Sequence, residues 1–382
     1  MTTTPTAHLV HYLRSHARKG ATALRAALSG PEGRFALASL SPAVFLALGA
    51  ALGGVWALLG LLWITLFLFL ADRLARRLVP APDAAAVKSP AADSRLPHLI
   101  AVLHFFLLFF ALFALSGGTG LGLWAWLACF LGLGLWFGQV AFAAAHELIH
   151  RPGRWSNALG VAVYASLLYG HHASAHRLIH HRFVATEEDP NSARLGESFW
   201  SFLQRAWPGE FLAGYEMENS LRQRQADKAH SLHPYSVYLA GSAAMLVLVL
   251  LGFGFDAFLV FMLLAAHSHI QLLLCDYVQH YGLERQKTGI DSYEPFGPEH
   301  SWDAPDLFSG MMLLHAPRHA DHHAHPAKPF GTLALSPDGA APLLPASLPV
   351  MATIALVPPL WRKVMDRRVM AIRRSNVSLA RW

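Results

Sequence analysis

The sequence predicts an all-α integral membrane protein in which six transmembrane helices form three hairpins and carry a histidine-rich cap on the cytoplasmic side. Three observations lead to this fold. Apolar residues make up 54% of the 382-residue chain and charged residues only 14%, whereas about 25% of a soluble domain is charged. Six apolar segments have about the length of a membrane span. Eighteen of the 23 histidines lie between His146 and His325.

The apolar segments occur in pairs, which predicts the hairpins. About 20 apolar residues are needed for one helix to cross the hydrocarbon core of a bilayer. A short and almost uncharged turn joins the members of each pair, and long charged segments separate the pairs. The predicted spans cover residues 35–52, 55–71, 98–116, 121–145, 235–253 and 258–277.

The distribution of basic residues predicts the orientation in the membrane. Lys and Arg near the ends of spans favour the cytoplasm, and they cluster before and after the first pair, as Arg34 and Arg76 do. We therefore expect both termini and the histidine-rich segments on the cytoplasmic side. The predicted organisation is a basic tail over residues 1–34, one membrane domain over residues 35–370 and a tail over residues 371–382.

Three further stretches do not suit a span. Residues 159–169 are too few to cross the bilayer and are expected to be buried or re-entrant. Residues 341–360 contain five prolines, which favours a segment that lies at the membrane interface or packs against the domain. Residues 75–92 are rich in Ala and Pro and predict a flexible linker.

The composition excludes several classes of function. No basic stripe with interleaved aromatic residues occurs outside the apolar segments, so no nucleic-acid partner is expected. The two cysteines, Cys129 and Cys275, both lie in apolar runs. They are too few for a disulfide framework, a cysteine-rich zinc site or a cysteine-ligated iron–sulfur centre. A metal would therefore have His, Asp or Glu ligands, and electrons would come from another protein.

Three histidine clusters lie beside the predicted cytoplasmic ends of the spans, and they predict a metal centre. Residues three and four apart share one face of a helix, so each cluster presents neighbouring imidazoles. A further histidine ends span six. The candidate ligands are His146, His150, His176, His180, His181, His280, His319, His322 and His323. Imidazole binds iron, zinc, copper and nickel. Nine ligands are too many for one ion, so two ions are expected.

Other interpretations explain fewer of these histidines. A single H-x-x-x-H pair is most often only a helix end. The stretch from His146 through Glu147 to His150 matches the H-E-x-x-H pattern of zinc proteases, but the other seven candidate ligands would then have no role. A membrane metal carrier would place ionisable residues at mid-span. Only His267 and His269 lie there, and packing is the simpler explanation for those two.

Carboxylates near the clusters are candidates to orient the ligands. A metal-bound histidine usually donates its second N–H to a carboxylate or a carbonyl oxygen. Four acidic residues are placed for this role: Glu147, Asp189, Asp276 and Asp321. Glu187 and Glu188 precede Asp189, and a solvated loop is the alternative explanation for all three.

The histidine stretches resemble those of the membrane alkane 1-monooxygenases, which share a superfamily with membrane fatty-acid desaturases, hydroxylases and xylene monooxygenases. The stretches are HELIHR at 146–151, HRLIHHRFVATEEDPNSAR at 176–194, DYVQHYGLER at 276–285 and HADHHAHP at 319–326. LGESFW at 195–200, HSWD at 300–303 and LVPPLWRKVMDRRV at 356–369 also resemble family stretches. The resemblance runs from about residue 35 to about residue 370, with the stretches in the family's order.

This resemblance implies a six-helix enzyme of the bacterial inner membrane with a cytoplasmic active site. It implies a non-haem di-iron centre held by the nine histidines, with O2 as co-substrate and with electrons from rubredoxin and rubredoxin reductase. The implied reaction hydroxylates the terminal methyl of a medium-chain alkane, taken from the bilayer, to a 1-alkanol. A fatty-acid desaturase, a lipid hydroxylase and a xylene-type methyl monooxygenase are the alternatives within the superfamily.

Four positions depart from the family pattern. Ala175, Ile179 and Gln279 stand where the family usually has Glu, Gly and Glu, and Asp303 stands where Asn is common. The ligand set is complete despite these changes. They leave the substrate, and the choice between hydroxylation and desaturation, open.

The apolar spans are expected to enclose a substrate slot that opens toward the bilayer and whose length sets the chain length. Trp56, Trp63 and Phe67 in span two are candidates for its wall, and packing against lipid is the alternative. An acidic redox partner would suit the basic residues beside the histidine stretches, for which ordinary positive-inside bias is the alternative explanation. These residues are Arg182, Arg194, Arg318 and Lys328.

Overall fold

A computed structural model describes residues 30–78, 95–224, 232–290 and 292–379. Within these ranges the chain is helical, and the only extended pairing is two isolated β-bridges. The tail before residue 30 lies outside the described residues, as does most of the stretch 75–92. The beginning of that stretch, residues 75–78, is helical rather than a linker.

Among the described residues, six helices are long and apolar enough to cross a membrane, as predicted, so the protein is an integral membrane protein. The first four along the chain are α1 (Pro31–Leu52), α2 (Gly54–Leu78), α3 (Leu96–Gly118) and α4 (Leu123–His150). The other two follow the shorter helices that come next. Several are longer than predicted. Helix α4 was expected to end at residue 145 and ends at His150, because the helix continues beyond the apolar segment into histidines.

Shorter helices connect and cap the spans. The first two are α5 (Arg154–Ser166) and α6 (residues 172–183). The longer helix α7 (Phe199–Arg224) follows them. The last two spans are α8 (Pro234–Phe253) and α9 (Phe255–His280). The chain ends in α10 (Leu307–Met312), α11 (His319–Ala324), α12 (Leu348–Ala355) and α13 (Pro358–Leu379). Helix α13 crosses the predicted domain boundary at residue 370.

In the part of the chain that the structure describes, four π-helical turns interrupt these helices. They lie at Trp63–Phe67 in α2, Ala114–Gly118 at the end of α3, Trp136–Ala141 in α4 and His176–His180 in α6. A π turn closes hydrogen bonds between residues five apart and often occurs at functional sites. Each turn therefore changes which side chains share a face of the helix. No apolar periodicity in the sequence predicted these turns.

The two uncertain apolar stretches are packed into the domain. Val163 and Tyr164 of α5 are buried, as expected for residues 159–169. In the proline-rich stretch, Met351 and Ala355 of α12 are fully buried, which confirms the packed alternative. The end of α2 contacts the chain between α9 and α11, where Arg76 donates two hydrogen bonds of 2.6 Å to Asp306. This contact ties a membrane span to the segment that precedes the last histidine cluster.

Close packing of α1 on α2 depends on small residues. A Cβ atom at Gly49 would lie 2.8 Å from the Cα atom of Ala57. In membranes, small residues of this kind let two helix backbones approach closely. We therefore expect Gly49→Ala to destabilise the protein by about 1–3 kcal/mol through overpacking. Thermal unfolding in detergent measures the effect.

The matched control for Gly49 is Gly252→Ala in α8. A Cβ atom there would meet nothing within 4 Å, and alanine favours a helix over glycine. The control should be neutral or slightly stabilising. Equal unfolding temperatures for the two variants would show that the α1–α2 contact can yield without cost.

Candidate metal centre

Helices α4, α6, α9 and α11 bring all nine candidate histidines together. They form two groups in which the potential ligand nitrogens lie within 4.8 Å of one another. The first group is His146, His150, His176, His181 and His322. The second group is His180, His280, His319 and His323. Each group could hold a metal ion, which agrees with the two ions expected from the ligand count.

The π turn in α6 decides which histidines share a group. From the spacing, His176 and His180 were expected one helical turn apart on the same face. Instead, the Nε2 atoms of His176 and His181 lie 3.0 Å apart, and His180 belongs to the other group. A π turn brings residues five apart into register, which explains the exchange. One short helix thus serves both groups.

Helix α11 also serves both groups. His319 and His323, four residues apart, have Nε2 atoms 3.1 Å from each other. His322 was expected to face the same way, but it turns to the first group, where its Nε2 lies 3.1 Å from that of His181. The two groups are therefore neighbours, and adjacent residues of one helix turn point into different groups.

The ring nitrogens that converge in each group fit a transition metal. The Nε2 atoms of His146 and His176 lie 2.8 Å apart, and those of His280 and His319 lie 3.1 Å apart. The Nε2 atoms of His150 and His180 are buried without a hydrogen-bond partner. Unpaired buried nitrogens are costly, and a coordinated cation would satisfy several of them at once. Imidazole donors of this kind suit iron, copper, zinc and nickel.

Burial keeps most of these imidazoles in the neutral form that binds metals. It lowers the pKa of His176, His319 and His322 well below the ordinary value, and the neighbouring histidines lower it further. His180 differs. Burial lowers its pKa too, but the charge of Asp189 outweighs this and raises the pKa to about 9.

Asp189 is the predicted carboxylate that contacts a candidate ligand. His180 donates from Nδ1 to Asp189 Oδ2 at 2.8 Å, which leaves His180 Nε2 directed at the second group. Ser192 Oγ and the backbone N–H of Asn191 also donate to Asp189, at 2.7 and 3.0 Å. Burial would raise the pKa of Asp189, but the charge of His180 and these hydrogen bonds lower it below its ordinary value.

The other three predicted carboxylates do not contact a candidate ligand, and the prediction is corrected for them. Glu147 accepts from Arg151, the residue directly after α4, at 3.2 Å. Asp276 accepts from Asn191 Nδ2 at 2.8 Å. Asp321 accepts from Lys328, His325 and the N–H of Ala334. Glu147 and Asp321 each follow or precede a ligand by one residue, so they point to another face of their helix.

We expect Asp189→Ala to lower the metal affinity of the second group by about 10–100-fold, because His180 loses the acceptor that orients it. Asp189→Asn retains an acceptor oxygen and should lose less. Titration against a competing chelator measures the affinity. Glu187→Ala in the same loop is the control, since the ion pair of Glu187 with Lys287, at 3.3 Å, is exposed and involves no candidate ligand. An unchanged affinity in Asp189→Ala would remove Asp189 from the site.

Besides Asp189, the site includes a buried carboxylate that the sequence analysis did not predict. Glu210 in α7 is 3% exposed and accepts from His172 Nδ1 at 2.5 Å, from Tyr169 at 2.9 Å and from Asn191 at 3.1 Å. Burial would raise its pKa, but the attraction of His172 dominates and lowers the pKa to about 2. Glu210 is one of three Glu residues in a helix of mixed polarity, where such residues usually face solvent, so no feature of the sequence identified it.

The positions that depart from the family pattern are all buried. Gln279 donates to the carbonyl of Ala316 at 3.1 Å, and Ala175 packs beside Gly214. Asp303 accepts from the N–H of Ala320 at 2.9 Å, at the start of α11. Burial raises the pKa of Asp303 to about 7. A carboxyl that is partly protonated at neutral pH can replace an asparagine amide as a buried hydrogen-bonding group.

A small apolar cavity of about 70 Å³ adjoins the histidines. Phe142 and Leu272 line it together with His146, His176 and His319. A larger groove of about 600 Å³ lies further out, between α2, α4, α9 and α12. Its walls are apolar except for a few side chains.

The predicted slot residues do not line either cavity. Trp63 stacks on Phe67 with ring centroids 4.3 Å apart and donates to Ser41 at 3.0 Å, and Trp56 is 37% exposed. Other residues of α2, such as Ile64 and Leu68, line the outer groove instead. The π turn at Trp63–Phe67 changes which side chains share a face, and every face of this span is apolar, so the sequence did not indicate which side of the helix is inward.

The predicted basic residues and the two mid-span histidines lie in different environments. Arg318 is buried and donates to the carbonyl of Leu333. The prediction that it belongs to a basic surface for an acidic partner is therefore wrong. Lys328 is paired with Asp321, while Arg182 and Arg194 are exposed. His269 donates to the carbonyl of Leu167 at 2.6 Å, as packing predicts. His267 lines the outer groove.

Comparisons with known proteins place these features in a family. A family model described as fatty acid desaturase matches residues 121–354, more than half of the chain. The chain is 36% identical over 256 residues to alkane 1-monooxygenase 1 of Pseudomonas aeruginosa, a match that covers 65% of each protein. It is 35% identical over 251 residues to alkane 1-monooxygenase 1 of Alcanivorax borkumensis, covering 65% of this chain and 61% of that protein.

A more distant similarity extends to another substrate class. The chain is 26% identical over 238 residues to the hydroxylase component of a xylene/toluene monooxygenase from Pseudomonas putida, with 61% of each protein covered. The chain therefore spans 61–65% of the length of these curated relatives, which is less than two thirds. The resemblance that the histidine stretches indicated is confirmed.

Proposed function

The chain belongs to the fatty acid desaturase family, and on this premise we propose that it is a membrane monooxygenase that hydroxylates the terminal methyl of a medium-chain alkane. The observation that carries the proposal is the juxtaposition of two imidazole groups with a narrow apolar cavity. The reaction uses one O2, two electrons and two protons. One oxygen atom enters a C–H bond to give the 1-alkanol, and the other leaves as water.

The nine histidines would hold two iron ions, five ligands in the first group and four in the second. When bound, the ions would supply the activation of O2 and the transfer of one oxygen atom to carbon. Asp189 orients His180, and the carbonyl of His300 accepts from His280 Nδ1 at 3.3 Å and orients that ring. These contacts hold the donor nitrogens before the metal arrives.

The walls of the small cavity would position the substrate and exclude water. Phe142 and Leu272 offer apolar surface on which a methyl group can lie beside His146 and His176. Tyr164 donates to the carbonyl of Phe142 at 3.1 Å and fixes that wall. Holding the reacting carbon against the metal centre is the part of the rate enhancement that the protein itself supplies.

In this proposal, residues 35–370 form one membrane domain of three hairpins in a bacterial inner membrane. Both termini and the metal centre face the cytoplasm, as the positions of Arg34, Arg76 and Arg95 favour. The electrons come from rubredoxin, reduced by rubredoxin reductase. The exposed Arg182 and Arg194 beside the histidine groups suit an acidic protein of this kind.

Product analysis tests the proposal. Cells that supply rubredoxin and its reductase are given octane, hexadecane, p-xylene and palmitate, and the products are identified by mass spectrometry. We expect 1-octanol from octane, and none from the His181→Ala variant. An alkene from palmitate would make the protein a desaturase. A benzylic alcohol from p-xylene without alkane conversion would favour the methyl-arene activity of the xylene relative.

A further inference from the structure

The outer groove and the inner cavity meet at one side chain. Gln139 lines both of them. The outer groove is walled by apolar residues of α2, α4 and α9, such as Leu61, Leu135 and Leu274. The inner cavity lies against the histidine groups. Anything that passes from the groove to the histidines by this route passes Gln139.

A second amide holds Gln139 in place. Gln139 Nε2 donates to Gln271 Oε1 at 2.9 Å, and the two residues are 8% and 7% exposed. Gln271 also lines the outer groove. At Gly138, the residue before Gln139, a Cβ atom would lie 2.6 Å from the Cβ of Gln271. Helices α4 and α9 are therefore in close contact at the amide pair.

The local backbone supports this placement. Gln139 lies within the π turn Trp136–Ala141, and the widened turn aims its side chain at α9 while Gly138 leaves room for Gln271. A buried polar pair inside an apolar bundle is expensive unless its hydrogen bonds are made. Interhelical amide bonds of this kind also join membrane helices without any further role, so the experiment must separate the two roles.

We propose that the Gln139–Gln271 pair is a constriction that admits an unbranched chain end to the metal centre and holds back branched and aryl-methyl ends. The inference rests on the proposed function and names the feature that selects its substrate. The inner cavity, about 70 Å³, is narrow beside the groove of about 600 Å³. The amide pair stands between them, so its width decides which chain end reaches the histidines.

Competition between substrates tests the constriction in the full-length protein with its redox partners. Octane and 2,7-dimethyloctane are supplied together, and the ratio of their products is measured. Gln139→Ala and Gln271→Ala should each raise the ratio of branched to linear product at least tenfold. Gln139→Leu removes the hydrogen bond but keeps the volume, so its ratio should stay within twofold of the parent protein.

The choice of variants separates a constriction from a helix–helix tie. If the amide pair only joins the two helices, Gln139→Leu and Gln139→Ala lose the same hydrogen bond and neither changes the product ratio. An unchanged ratio in both variants would overturn the proposal. The control is Ser242→Ala, which removes a hydrogen bond between α8 and the carbonyl of Ala165, away from both cavities. It should leave the ratio unchanged.

Photolabelling provides a readout that does not need turnover. Linear and branched alkyl diazirines are crosslinked to the full-length, metal-loaded protein without reductant, and the labelled residues are mapped by mass spectrometry. In the parent protein the linear probe should label Phe142 or Leu272, and the branched probe only Leu61 or Leu135. In Gln139→Ala the branched probe should also reach Phe142. Labelling of Phe142 by the branched probe in the parent protein would overturn the constriction.

The two readouts fail independently. If the labelling follows the expected pattern but no substrate is converted, the constriction stands and the proposed function fails. If octane is converted and neither alanine variant changes the product ratio, the function stands and the constriction fails.

Discussion

Replacing His322 by alanine is expected to remove about one metal ion per protein and to lower turnover by well over 100-fold. His322 supplies Nε2 to the first group, 3.1 Å from the Nε2 of His181. Losing even a residue that only orients a ligand costs about 10–100-fold in affinity or activity, so losing a ligand costs more. Elemental analysis of the purified protein gives the metal count, and alkanol formation gives the turnover.

The adjacent histidine, His323, provides a second test of how the ligands are divided between the two ions. His323 belongs to the second group, so His323→Ala should lose the other ion, and the double variant should bind none. His325→Ala is the control, since His325 is exposed and contacts Asp321 rather than either group. Two ions retained in both His322→Ala and His323→Ala would contradict the assignment of adjacent histidines to different ions.

Replacing Glu210 by alanine is expected to destabilise the protein by about 3 kcal/mol or more, because each buried polar group left without a partner costs about 1–3 kcal/mol. Three buried donors, from Tyr169, His172 and Asn191, lose their acceptor. Glu210→Gln keeps acceptor capacity on one oxygen and should lose less. Chemical or thermal unfolding in detergent measures the change.

The control for Glu210 lies on the same helix. Glu216 is on the exposed face of α7, and Glu216→Ala should change the free energy of unfolding by less than about 0.5 kcal/mol. If Glu210→Ala is as stable as Glu216→Ala, the buried network does not support the site.

Features with a strong pattern were predictable from the sequence. Each span is a long apolar segment, and length alone identifies it because the bilayer sets the length. The nine histidines were predictable because eight of them occur in three closely spaced clusters, in α4, α6 and α11, and the ninth ends α9. The division of these histidines into two groups was not predictable. It depends on the π turn at His176–His180, and no sequence pattern indicates where a helix takes one extra residue into a turn.

Roles that depend on tertiary contacts were predicted poorly. Glu147 and Asp321 were chosen because they are next to ligands in sequence, yet neighbours in a helix point about 100° apart. Glu210 is far from any ligand in sequence and contacts His172 through the packing of α7 on α6. Asp189 contacts His180 because the loop after α6 folds back on it, which no local pattern specifies.

The most direct test of the account is isotopic. Purified protein in lipid vesicles, loaded with iron and supplied with reduced rubredoxin, is given octane under ¹⁸O2. The account predicts 1-octanol with one ¹⁸O atom and the other ¹⁸O in water, and no such product from His322→Ala. Unlabelled octanol, or octane that remains unchanged while two iron ions are bound, would contradict hydroxylation at this centre.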